Sequence, residues 1–152
     1  MSRNISPMEI ALQEAAHAAS RGEVPVGAVI VRRETGEVIA KAGNRVEEWE
    51  DATAHAEMLV MKEASQKLNQ LRLENCDLYV TLEPCTMCAS AISHSRIGRV
   101  FFGAYDPKGG GIEHGARFYE KDTCHHKPEV IGGMREAECV TQLKEFFAKL
   151  RD

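Results

Sequence analysis

The sequence predicts an α/β domain, a five-stranded mixed sheet with helices on both faces. Three observations lead there. An apolar hairpin lies close to the N-terminus. Helical and strand-like periodicities alternate after it. At 152 residues the chain suits one compact domain with a sizeable core, expected over 1–152.

The first helix is expected over 8–20, where Ile10 and Leu12 stand among alanines, with Ser6-Pro7 as the start signal and Gly22 as the stop. Residues 26–31 are a short run rich in Val and Ile and read as a buried strand. The stretch Arg32-Arg33-Glu34-Thr35-Gly36 reads as a turn, returning into a second strand over 38–42. Met58, Met61, Ala64 and Leu68 have helical spacing within a helix expected over 54–68. A strand over 77–82, a helix over 86–94 and a strand over 99–103 follow. Residues 106–111 are a glycine-rich loop, and 112–127 read as irregular with weak helix signals near 113–119. Val130-Ile131 makes a short strand, and 134–150 an amphipathic helix with Phe146-Phe147 and basic residues at its end.

Composition narrows the function classes. The chain is 43% hydrophobic and 28% charged, ordinary for a soluble globular protein. No stretch approaches the run of about 20 apolar residues that spans a bilayer, and residues 1–8 lack the apolar core of a secretory signal. The expectation is a cytoplasmic protein with no membrane partner. Cys76, Cys85, Cys88, Cys124 and Cys139 are an odd number of cysteines, which argues against a disulfide framework and leaves thiols for metal binding. The net charge of −4 argues against generic coating of nucleic acid. A local basic surface is still expected, from Arg96, Arg99, Lys108, Arg117, Lys121, His125, His126 and Lys127.

The chemistry concentrates in His55-Ala56-Glu57 and Pro84-Cys85-Thr86-Met87-Cys88, each at an expected helix start. Zinc prefers cysteine sulfur and histidine nitrogen in a tetrahedron. Cys85 and Cys88, three apart, share one face of a helix. In its first turn, free N–H groups favour thiolates, and Pro84 suits that turn because it has no N–H. His55 brings a third ligand from another helix start. Three protein ligands leave one position for water, whose pKa zinc can lower to about 7. Glu57 is not needed as a ligand. Its natural role is general acid/base, taking a proton from that water and delivering it to a ring nitrogen and then to a leaving amine. Two plainer readings are open. In one, Cys76 or Cys124 completes a closed structural site; in the other, Thr53 caps the helix. Neither gives Glu57 a role. His17 is expected to be structural.

His-x-Glu followed by Pro-Cys-x-x-Cys resembles the signature of zinc deaminases. Further segments extend the likeness over nearly the whole chain. They are Glu23-Val24-Pro25-Val26-Gly27-Ala28, Gly43-Asn44-Arg45, Tyr79-Val80-Thr81-Leu82-Glu83-Pro84, Ser95-Arg96-Ile97, Phe102-Gly103-Ala104, Asp106-Pro107-Lys108-Gly109-Gly110 and Phe146-Phe147. The chain resembles the bacterial tRNA adenosine deaminases of the cytidine/deoxycytidylate deaminase superfamily, which make inosine at the anticodon wobble position. The Gly-Asn-Arg, Asp-Pro-Lys-Gly-Gly and Phe-Phe segments point to that branch.

The resemblance implies a three-layer α-β-α, cytidine-deaminase-like fold, one zinc ion per chain and a homodimer acting on a tRNA anticodon stem-loop. It implies that Asn44 hydrogen-bonds the target nucleoside and that Val26 packs on its base. The Ala56 N–H, Glu83 and Pro84 would line the base pocket. Asp106 and Lys108 would touch the sugar-phosphate backbone, and Phe146-Phe147, with Lys149 and Arg151, would flank a neighbouring nucleotide. The stretch from Gly111 to Tyr119 departs from the Ser-Leu-Met-Asn-like pattern of many relatives. Two other function classes stay open at this point. A deaminase of a free base or nucleoside, such as guanine or cytosine, would not need Lys108 or the basic stretch. A non-catalytic zinc-bound interaction module would not need Glu57.

Overall fold

The structure, a computed structural model, describes residues 5–151. Ser6 caps the first helix, α1 (Pro7–Ser20), by accepting the Glu9 N–H at 3.3 Å. The chain then forms β1 (Gly27–Arg32) and β2 (Val38–Gly43). A single turn, α2 (Val46–Trp49), leads into α3 (Ala56–Leu68). Next come β3 (Cys76–Leu82), α4 (Thr86–His94) and β4 (Arg99–Ala104). The long loop holds one short 3-10 turn, Phe118–Glu120, before β5 (Glu129–Ile131) and α5 (Glu136–Arg151).

The sheet runs β2-β1-β3-β4-β5. β1 pairs antiparallel with β2 and with β3, with Val29 opposite Tyr79. β3–β4 and β4–β5 are parallel, so the sheet is mixed, as expected. α1 and α5 cover one face, with Met8, Ala11, Val29, Val31, Ala104 and Cys139 between. α3 and α4 cover the other, where Ala28, Ile30, Val60, Leu78, Phe102 and Ile92 pack. Successive residues of β1 therefore feed opposite cores, which is why its sequence is an unbroken apolar run. α1 sits close on β1: a side chain at Gly27 would collide with the Ala11 carbonyl.

Three elements differ from expectation, among them α5, which starts two residues late at Glu136. The sequence does not predict α2, because Val46-Glu47-Glu48-Trp49 is a single turn, too short for helical periodicity to register; it is held from outside. The buried Glu23 carboxylate accepts the N–H groups of Glu47 (3.1 Å) and Glu48 (2.8 Å). α3 starts two residues after the expected position. Asp51 takes the Thr53 N–H at 2.8 Å and the Thr53 hydroxyl at 2.7 Å, so Thr53 caps nothing. All five cysteines are free thiols. No helix among the described residues is long and apolar enough to cross a membrane.

Candidate metal centre and cleft

Two helix starts converge at one point. His55 is the cap residue of α3 and Cys85 that of α4, each with extended backbone. Cys88 follows in the first turn of α4 and is fully buried. Cys85 thus caps the helix instead of lying inside its first turn. A cap side chain reaches over the third helical residue, so the two sulfurs still meet. Pro84 stands one residue before the cap, not in the helix, and its carbonyl accepts the Gly111 N–H at 2.8 Å.

His55 Nδ1 lies 3.7 Å from Cys85 Sγ and 3.5 Å from Cys88 Sγ. All three donor atoms lie within 4.8 Å of one another. With Zn–N of about 2.0 Å and Zn–S of about 2.3 Å, a tetrahedral ion has N···S edges of about 3.6 Å. The donors therefore fit zinc in both chemistry and spacing, through Nδ1 of the imidazole. No other His, Cys, Asp or Glu among the described residues joins the cluster, so Cys76 and Cys124 stand apart from it. The hydrogen bond from Cys88 and the neighbouring His55 ring hold the Cys85 thiol down to about 4. That contact and burial push Cys88 up.

Glu57 is buried in the first turn of α3, and its Oε1 has no hydrogen-bond partner. Burial pushes its carboxyl up to about 7. An orphaned carboxyl oxygen beside three metal donors is the second sign of a catalytic centre, since buried polar atoms are normally satisfied.

The centre opens into a cleft of about 690 Å³, bordered by Val26, Asn44, His55, Glu57, Glu83, Cys85 and Asp106. Asn44 Oδ1 accepts the Ala56 N–H at 2.8 Å. That N–H is thus already used, while Asn44 Nδ2 has no acceptor among the described residues. Val26 is buried in the wall, and its carbonyl accepts the Asn44 N–H at 3.1 Å. Pro84 is buried behind the wall. Asp106 Oδ1 takes the N–H groups of Lys108 (3.2 Å) and Gly109 (2.9 Å), closing a turn that leaves Lys108 exposed. Lys108 lies outside the cleft, in an adjoining groove that Asp106 and Phe147 also line. From α5, Phe146, Phe147 and Leu150 reach the cleft. Lys149 does not border it, and Arg151 lines the adjoining groove.

Several bordering residues were missed: Glu23, Val24, Val46, Glu47, Leu82, Gly109 and Leu150. Glu23, Val24, Leu82 and Gly109 stand in segments of the resemblance without an assigned role, and Leu150 lies one helical turn beyond Phe146 and Phe147. The expected basic surface is partly consumed inside the fold. Arg99 Nη2 pairs with the buried Asp77 at 2.6 Å, whereas Arg117 stays on the surface, 3.8 Å from the exposed Glu120. One ring nitrogen of His126 lies 2.7 Å from the Ile97 carbonyl.

Three nitrogen and sulfur donors spaced for one ion and a buried acid at the base of a cleft define a metal-dependent hydrolase. Residues 1–104 match the cytidine and deoxycytidylate deaminase zinc-binding region. A tRNA-specific adenosine deaminase of Agrobacterium fabrum is 54% identical over 95% of this chain and 93% of its own length. A solved structure from biochemical and structural studies of A-to-I editing by tRNA:A34 deaminases is 55% identical. It superposes with a TM-score of 0.87 over 90% of this chain and 98% of that one. A guanine deaminase from Bacillus subtilis is 35% identical, with a TM-score of 0.62, over 68% of this chain and 66% of its own. The chain belongs to the cytidine and deoxycytidylate deaminase family, within the group of the tRNA-specific adenosine deaminases. Its cofactor is zinc.

Proposed function

We propose that this chain is a zinc-dependent hydrolytic deaminase that converts adenosine to inosine at the wobble position of a tRNA anticodon. The observation that carries the reading is the pairing of His55, Cys85 and Cys88 with the buried Glu57 carboxyl, whose Oε1 has no partner, at the base of the cleft. Identity of 54% to a tRNA-specific adenosine deaminase over 95% of the chain supports the substrate.

When bound, zinc supplies a Lewis acid that brings the pKa of a coordinated water to about 7. Glu57 does the proton work. With a pKa of about 7 it can take one proton of the attacking water and pass it to the ring nitrogen, then take the second and pass it to the departing ammonia. Asn44 holds the nucleoside through Nδ2, its other amide atom being engaged with Ala56. Val26 packs on the base. Asp106, Lys108 and Phe147 serve the flanking nucleotides from the cleft rim and the groove beside it. A single-stranded anticodon loop suits this cleft, since its base leaves the stack at low cost.

A deaminase of free bases has weaker support. The Bacillus subtilis guanine deaminase is 35% identical to the chain, against 54% for the tRNA-specific relative. One deaminase domain over 1–152, a cytoplasmic location and a homodimer complete the reading. Sedimentation giving only a species near the chain mass of 16.8 kDa would count against the dimer.

The deciding experiment incubates the zinc-loaded protein with an anticodon stem-loop carrying a wobble adenosine, alongside guanine, cytosine and free nucleosides. Inosine and ammonia from the stem-loop are expected. An inert stem-loop with ready turnover of a free base overturns the tRNA reading.

A further inference from the structure

The loop 106–114 is bound at both ends to one buried side chain. Glu83 is 2% exposed and stands between the end of β3 and Cys85. Its Oε1 accepts the Asp106 N–H at 3.0 Å. Oε2 accepts the N–H groups of Ile112 (3.2 Å), Glu113 (2.9 Å) and His114 (3.2 Å). The His114 ring adds a contact from Nδ1 to Oε1 at 2.8 Å. Five donors thus meet one carboxylate, about the full acceptor capacity of its two oxygens. Glu83 borders the cleft but has little left to offer a ligand.

The segment gathered this way forms one wall of the cleft. It contributes Asp106 and Gly109 to the lining. It also seals against the metal-bearing turn, because the Gly111 N–H donates to the Pro84 carbonyl at 2.8 Å. A carboxylate is suited to this task. Charge-assisted bonds to backbone N–H groups are stronger than neutral ones, and several converge on one point.

We propose that Glu83 is a positioning residue for the reaction, with His114 as its partner. Its carboxylate gathers the backbone of 106–114 into the wall that presents Asp106 and the loop tip to the RNA. It sets how firmly the strand beside the target base is held, without touching that base. The proposal rests on the RNA reading for its kinetic consequence, but not for its structural one.

The test compares the full zinc-loaded chain with Glu83→Gln and His114→Ala. Gln keeps the shape but replaces one acceptor oxygen by a donor. Amide hydrogen exchange at 106 and 112–114 should quicken about tenfold or more in Glu83→Gln, while β1 and β3 keep their protection. Zinc content should stay near one per chain. For the stem-loop, KM should rise about tenfold while kcat falls less than about threefold, the mark of lost binding rather than lost chemistry. His114→Ala removes one donor and should move both readouts the same way by about threefold. It decides the matter if Glu83→Gln does not fold. Unchanged exchange at 106 and 112–114 overturns the proposal. So does a loss confined to kcat, which would put Glu83 at the reacting base. If the stem-loop is inert with the parent protein, the functional reading fails on its own, and exchange still decides the clamp.

Discussion

Asn44 Oδ1 and the Ala56 N–H are 2.8 Å apart, so the residue after β2 is tied to the first turn of the helix that His55 begins. One side chain thereby fixes a metal ligand's helix and, through its free Nδ2, faces the cleft.

Asn44→Ala should lower stability by about 1–3 kcal/mol, the cost of leaving the buried Ala56 N–H unpaired, and should also weaken substrate binding. Asn44→Asp keeps an acceptor at a helix N-terminus, where negative charge is favourable. It should recover most of the stability but not the affinity, because the Nδ2 donor is gone. Urea unfolding and stem-loop titration separate the two effects. Parent-like affinity in the Asp variant would remove Asn44 from substrate recognition.

Cys88→Ser should lose most of the zinc, since a hydroxyl is a poor substitute for a thiolate in this donor set. Metal analysis of the purified variant reads this directly. Full retention would mean that Cys88 is not a ligand. Removing zinc from the parent with a chelator should likewise abolish activity, and adding zinc back should restore it.

Glu57→Gln should keep zinc and fold while losing activity by at least about 10²–10⁴-fold, the usual contribution of a general acid/base. Its thermal midpoint should equal or exceed that of the parent. The substitution removes a buried carboxyl whose Oε1 has no partner, and catalytic groups of this kind are commonly held at a cost to stability. A large fall in the midpoint with activity retained would contradict both halves.

Gly111→Ala should disturb the metal centre from outside it. A Cβ there would collide with the Thr86 N–H and stand 2.8 Å from the Cys85 carbonyl carbon, both backbone atoms. The α4 start must shift or the loop must lift away. The expected result is weaker zinc retention in a competition assay and activity reduced about tenfold or more, with the sheet core intact. Parent-like zinc affinity would show that the turn tolerates the displacement.

What the sequence by itself determined is local in origin. The apolar run of β1, the alternating elements and the long helices all follow from side-chain periodicity, and each appears within a residue or two of its expected place. The metal donors were legible for the same reason. Cys85 and Cys88 are joined by a spacing that one helix start imposes, and His55-x-Glu57 by a second.

Tertiary structure alone decided what depends on residues far apart in the chain. α2 exists because Glu23 accepts from its first turn across more than twenty residues, a bond no local pattern records. The loop 106–114 is shaped by Glu83, which its own sequence does not contain. Arg99 reads as part of a basic surface until β3 and β4 lie side by side and Asp77 takes its charge. Periodicity reports which face of an element is buried. It does not report which backbone groups a buried carboxylate will satisfy, because that is settled only when the sheet order brings the strand ends together.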